Sequence, residues 1–277
     1  MSDNLSQQGQ FNPIHDAHAI EQVVFVLKFD GSLDSTHFAK VLKAAEQFKP
    51  DFPKSFPIQK LTFVLGAGAP NQSDPTNSGT VFQKTETDGS VENELRVEQS
   101  SLTFITTKYT RWDAVWTQAS TYFDILVPFY VEHAGLAGIS VNYVDKFVWS
   151  GAFNNCKPSH LLRSNSKYLC PHIYTAEDFW HSHTGAFTRP DTYTRRLLNV
   201  NVDYLDETRL ENTRRIVAIT TVLTDQLNQP GYTPSSLKQE ENIDFIKSHM
   251  HSPHILGKEV FGNIINDTMN SRIALKL

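Results

Sequence analysis

Apolar residues recur along the chain at two spacings, every second position and every third or fourth, and the change from one to the other predicts the elements. In IEQVVFVLKF, residues 20–29, Val23, Phe25, Leu27 and Phe29 fall on one face of an extended segment. Val24 and Val26 make the other face apolar too, as in a strand buried on both sides near its middle. Asp30 and Gly31 interrupt it, and Asp34 or Ser35 caps a helix with Phe38, Val41, Leu42, Ala45 and Phe48 as its stripe. Pro50 and Pro53 end that helix. Strands are predicted over 58–65, 81–86, 91–97 and 102–107, with a loop rich in Gly, Pro, Asn and Ser over 66–79. Asp88-Gly89 between two extended runs predicts a hairpin with both turn residues at positive φ.

The longest helical rhythm starts near Arg111 and runs through Trp112, Val115, Trp116, Ala119, Phe123, Leu126, Phe129 and Tyr130, with Pro128 expected to kink or shorten its end. A strand over 137–149 then places Ile139, Val141, Tyr143 and Phe147 on one face together with Asp145. Residues 150–190 hold Pro158, Pro171, Pro190, both cysteines and four histidines without regular rhythm. They read as an irregular connection with one short helix near 175–181. Strands at 198–204 and 216–223 follow, then a polar loop with Pro230, Gly231 and Pro234, and helices over 238–250 and 253–265. Ser252-Pro253 opens the last helix, since the missing donor of proline is harmless in a first turn. The expected fold class is α+β, mostly antiparallel sheet(s) with long amphipathic helices. It divides into a flexible tail over 1–12, an N-terminal half over 13–135 and a C-terminal half over 136–277. The two halves are read as related and as parts of one compact unit, although no sequence repeat of fixed period is present.

Composition narrows the function classes only a little. The apolar fraction, 39%, is that of a folded protein. With 25 Lys+Arg against 30 Asp+Glu the chain is mildly acidic, which argues against a surface built throughout for phosphate backbones. A local basic patch, Arg195, Arg196, Arg209, Arg214 and Arg215, leaves nucleic acid open as a partner. The start, MSDNLSQQGQFNP, lacks a basic stretch followed by an apolar one, and no run reaches the ~20 apolar residues of a membrane helix. The expectation is a cytoplasmic protein without membrane contact and with reduced thiols at Cys156 and Cys170.

Several residues carry candidate chemistry. Cys156, Cys170, His172, His181 and His183 are the side chains a zinc ion would use, yet no CxxC or HxxxH spacing is present, so no metal and no cofactor is assigned. His249, His251 and His254 form a second group, in which Pro253 separates the two histidines that are three apart. Glu21 lies in an otherwise apolar strand, where a carboxylate must reach water, be protonated or find a partner such as Lys146 or Arg196. Asn199, Asn201 and Asp203 share one strand face, which either lines a cleft or faces solvent. GAGAP at 66–70 lacks the lysine and spacing of a phosphate loop, and no serine elbow or kinase-like set is present, so no catalytic residue is assigned.

Four segments, AIEQVVFVLKF near the start, Tyr109 with Trp112, ISVNYVDKF at 139–147, and His254 seven residues before Phe261, resemble in their order a sporadically distributed family of uncharacterised bacterial and archaeal proteins. The resemblance matches Glu21, Trp112, Tyr143, His254 and Phe261 to the family's motifs. Asn142 stands where that family usually has arginine, and Asp145 where it has asparagine, so a shared site would have an altered charge here. The family's patchy occurrence implies mobile genes such as phage-defence (antiviral) or toxin–antitoxin modules. Together these readings favour a non-enzymatic binding protein acting through a protein partner or self-association, with Glu21, Asn142, Asp145, Lys146 and His254 as candidate binding residues. The alternatives are a hydrolase or nucleic-acid-processing enzyme using His254, Glu21 and Asp145, and a small-ligand sensor with its pocket between the halves.

Overall fold

In the computed structural model the described residues are 9–60, 63–64, 71–72, 76–209, 211–227 and 239–275. The loops expected over 66–79 and around Pro230, Gly231 and Pro234, the GAGAP turn and the first eight residues of the tail lie wholly or largely outside them.

Period-two segments become strands of one antiparallel sheet. These are β1 (Phe11–Pro13), β2 (Ile20–Phe29), β3 (Lys54–Lys60), and, after the short pair β4 (Phe63–Val64) and β5 (Asn71–Gln72), β6 (Thr76–Thr85), β7 (Val91–Glu98) and β8 (Ser101–Thr106). The later strands are β9 (Leu136–Trp149), β10 (Trp180–Thr188), β11 (Arg195–Arg209) and β12 (Asn212–Gln226). The order across the sheet is β10-β11-β12-β9-β2-β8-β7-β6-β3, with β1 also paired to β9. Helices α1 (Ser35–Ala45), α2 (Trp112–Val131), α3 (Gln239–Ile264) and α4 (Asp267–Arg272) complete the list of longer elements.

This corrects the expected fold class. Among the described residues one large sheet of ten strands dominates, with 42% strand and 31% helix, and only three helices reach seven residues or more, so long amphipathic helices do not characterise the fold. The physical reason shows in α2. From Tyr122 onward none of its residues is exposed, so it is apolar nearly all round instead of two-faced. The short helix expected near 175–181 is absent: a 3-10 turn spans Pro171–Tyr174, and β10 has begun by Trp180. The two helices expected on either side of Pro253 are one, α3, with the proline inside it. Pro128 likewise lies within α2, which runs three residues past it.

The Asp88-Gly89 hairpin also forms differently from its expectation. Only Gly89 takes a positive φ, 87°, while Asp88 uses its carboxylate to accept from the Ser90 backbone N–H at 2.9 Å. A turn with left-handed glycine at its third loop position is a type I turn with a bulge, which fits the register shift between Lys84 and Thr85.

The chain forms two compact units, each assembled from separated stretches. The first comprises Met1–Val23, Val141–Asp225 and Met250–Leu277; the second comprises Val24–Ser140 and Gln226–His249. In the second unit Phe25 packs on Trp112 and Trp116, Phe29 stacks on Tyr130 at 4.4 Å, and Tyr122 meets Phe48, Phe52 and Phe104. Asp34 caps α1, accepting from the Thr36 and His37 backbone N–H groups, each at 2.9 Å. In the first unit the odd positions of β9 (Val141, Tyr143, Phe147) are buried, and Phe147 stacks on Phe261 of α3. Gly257 lets α3 approach closely, since a Cβ there would lie 3.3 Å from both Tyr143 and Leu223. Asn266 caps α4, and Arg272 donates to the Phe11 carbonyl and to Asn12 Oδ1, tying α4 to β1.

Candidate functional site

All five residues singled out as binding candidates lie in the first unit, and the alternation of β9 divides them. Lys146 and Asn142 point to one face of the strand, Tyr143 and Asp145 to the other. On the first face Lys146, its side chain 7% exposed, donates to Glu21 Oε1 at 2.7 Å and to Glu207 Oε1 at 2.8 Å. Arg214 donates to the second oxygen of Glu207 at 3.0 Å. Two acids and two bases therefore neutralise one another across β2, β9, β11 and β12. A charge removed from water is tolerated when it is paired in this way. Glu21 has thus found its partner in Lys146, while Arg196 is engaged elsewhere, in a bidentate bond to Asp225 at 2.6 and 2.7 Å.

The opposite face of β9 is held neutral by a different route. Asp145 is buried in apolar surroundings, and loss of solvation alone pushes its carboxyl up to about 8, so it is protonated at neutral pH. His254 of α3 is hydrogen-bonded through Nδ1 to the Tyr143 hydroxyl at 2.9 Å. Burial first, then the positive charge of Lys258 and the neighbouring His251, lower it to about 3. A base that weak takes up almost no proton at neutral pH, and general-base catalysis needs a group poised near the working pH. Glu21, bound to Lys146, lies on the face away from Asp145, so these contacts do not gather Glu21, Asp145 and His254 around one point.

The neutral network belongs to a half-buried face. Asn142 and Val144 of β9, Asn199, Asn201 and Asp203 of β11, and Ala218, Thr220 and Val222 of β12 are neither buried nor fully exposed. β10 extends it: His181 pairs in register with Asp203 and bonds it through Nδ1 at 2.7 Å, and His183 lies opposite Asn201. Gly185 lies opposite Asn199, whose Oδ1 would meet a Cβ there at 2.5 Å. Phe187, 59% exposed, lies under the Arg195 guanidinium.

The other candidates are placed apart from this surface or spent within it. Among the described residues no three His, Cys, Asp or Glu side chains are grouped to hold a metal ion. Cys156 and Cys170 are unbridged, and burial raises the Cys156 thiol. In the basic patch, Arg196, Arg214 and Arg215 are paired with Asp225, Glu207 and Asp206, and Arg195 covers Phe187. Glu207 and the β10 strand were not singled out from the sequence, and Arg214 was read there only as part of the basic patch. Glu207 and Arg214 are 61 and 68 positions from Lys146, beyond any local pattern. β10 did carry a signal in its β-branched and aromatic residues Trp180, Thr184, Phe187 and Thr188.

No helix among the described residues is long and apolar enough to cross a membrane. No protein-family model matches the chain, and neither do the curated proteins or the solved structures compared with it.

Proposed function

We propose that the protein is a non-enzymatic binding protein that acts through contact with other protein chains, docking them at β10 and the half-buried face beside it. The observation that carries this reading is the character of β10. It is the last strand in the sheet order, nine residues long, and WHSHTGAFT contains neither proline nor a Lys, Arg, Asp or Glu. Sheets ordinarily blunt their ends with such residues because a bare edge pairs with any extended segment it meets. The strand at the other end of the order, β3, is blunted, with Pro57 inside it and Lys54 at its start. From Gly185 onward every residue of β10 is exposed, as suits a strand that receives a neighbour by β-strand addition. The pairing of Glu21, Lys146, Glu207 and Arg214 among themselves and the low basicity of His254 support a binding role over a catalytic one.

The test is a photo-crosslinking amino acid placed at His183 or at Phe187 in living cells. The expected result is discrete protein adducts that the same residue at exposed Lys28 does not form. Absence of adducts at both positions, or an identical pattern at Lys28, would overturn the reading.

A further inference from the structure

The occupant of the β10 edge can be read from the strand itself. We infer that it is a second copy of this chain, paired antiparallel β10 to β10 about a twofold axis at Thr184; this rests on the docking role of β10 proposed above.

The argument begins with register. Using the whole of Trp180–Thr188 in a self-pair places Thr184 opposite Thr184, because the strand has nine residues and Thr184 is the fifth. Residues equidistant from Thr184 then face one another on the same side of the extended sheet. His183 falls against Gly185, which has no side chain to meet the imidazole, and His181 falls against Phe187. Ser182 falls against Ala186 and Trp180 against Thr188. Every pair joins a larger with a smaller side chain or two aromatic rings, apart from the central threonines, and cross-strand Thr–Thr and aromatic pairs are favourable. Like charges never oppose one another, since the strand carries no acid, lysine or arginine.

Charge selects the direction. The segment entering β10 is acidic, Glu177 and Asp178, and both residues are exposed. The segment leaving it carries exposed Arg189 and, beyond Pro190, exposed Asp191, whose Oδ1 is turned back to accept from the Tyr193 and Thr194 backbone N–H groups at 2.8 and 2.7 Å, and exposed Arg195 begins the next strand over Phe187. An antiparallel self-pair sets Glu177 and Asp178 of each copy beside Arg189 of the other, twice per dimer, with Asp191, engaged by its own loop, as the one acid facing them. A parallel pairing would set acid against acid and base against base. The interface is isologous, the commonest arrangement for soluble homo-oligomers. It also removes the bare edge, because each β10 covers the other.

Sedimentation velocity of the full chain over a wide concentration range tests this, with three variants. The wild type is expected to dimerise. Phe187→Lys, at an exposed position, sets a charge against His181 and is expected to weaken association by at least about tenfold, the equivalent of ~1.4 kcal/mol. Arg189→Glu opposes Glu177 and Asp178 and weakens it similarly, and the double variant Glu177→Arg/Arg189→Glu restores it. Unchanged circular dichroism and melting establish that each variant is folded. A monomeric wild type throughout the range overturns the inference, as does a dimer that all three variants leave intact. A monomer in solution accompanied by crosslinked adducts to other proteins at His183 or Phe187 would remove the self-pair while leaving the binding role in place. Loss of both would remove the two together.

Discussion

Asp145→Asn isolates the energetic consequence of a carboxyl held in an apolar interior. In the folded protein the group is pushed up to about 8 by burial alone, with no charged neighbour contributing, against 3.8 for an ordinary aspartate. Between these two values the folded state holds a proton that the unfolded state has released. Stability linked to this group is therefore full below about pH 4, falls as pH rises, and levels off above about pH 8, once both states are ionised. At 1.36 kcal/mol per pH unit the loss is roughly 2 kcal/mol by pH 5 and roughly 4 kcal/mol by pH 7. Asparagine has the same shape and does not titrate. The difference in unfolding free energy between Asp145→Asn and the wild type should grow by about 2–3 kcal/mol from pH 5 to pH 7, in favour of the variant. Any constant offset from burying the amide does not affect this slope. Urea unfolding with a common m-value, followed by tryptophan fluorescence at several pH values, measures it. Since other titrating groups are common to both proteins, parallel curves for the two would refute the assignment of a neutral, desolvated Asp145.

His254 gives the opposite sign. Lowered to about 3 from 6.5, it leaves the folded state short of a proton below about pH 6.5, so its stability is present above that pH and lost on acidification. Between about pH 4 and 6.5 its slope opposes that of Asp145, and His254→Asn should gain stability relative to the wild type as pH falls; an unchanged acid limb in urea titrations counts against this. Lys146→Met removes the buried cation shared by Glu21 and Glu207, leaving Arg214 beside Glu207, and should cost about 3 kcal/mol, most of it recovered when both glutamates also become glutamine, as read by denaturation midpoints. Arg196→Met leaves Asp225 buried at 0% exposure without its bidentate partner and should cost about 3–5 kcal/mol in the same assay. Gly151→Ala drives a Cβ to 2.6 Å from the Gly9 Cα, so its melting temperature should drop and hydrogen exchange in β1 and the end of β9 should rise, with about 1–3 kcal/mol lost.

The parts of the fold that were legible share a cause. β2, β9 and β11 bury one face and leave the other less covered, so their period shows directly in the residues, and Asp145 could be placed on the apolar face of β9 from the sequence alone. β10 was missed because an edge strand has less to bury. Only Trp180 and Ser182 point into the interior, one of them small and polar, and from Gly185 onward the residues are exposed with no alternation left to read. α3 was divided at Pro253 because a proline forfeits one helical donor, a local cost that burial of Met250, Val260, Phe261 and Ile264 outweighs within one continuous helix. The candidate site was half legible for a similar reason: Glu21 and Lys146 could be matched as an acid and a base, whereas Glu207 and Arg214 join them only through the sheet.

The adjacent pair Asp145-Lys146 ties these features together. Lys146 needs the face that carries Glu21 and Glu207, and Asp145 tolerates only the face beneath α3, where it can stay protonated. A slip of β9 by one residue exchanges the two faces. It would bring a carboxylate against two glutamates and drive an ammonium into the apolar interior, each a charge-burial error of several kcal/mol. Apolar alternation already favours this register, since Ile139, Val141, Tyr143, Phe147 and Trp149 share the covered face while Gly138, Ser140, Asn142 and Lys146 share the other. The two ionisable residues reinforce that register by penalising the slip. The half-buried face owes its Asn142 and its paired Lys146 to that choice, which makes the charge pattern of β9 a determinant of that face as well as of the fold.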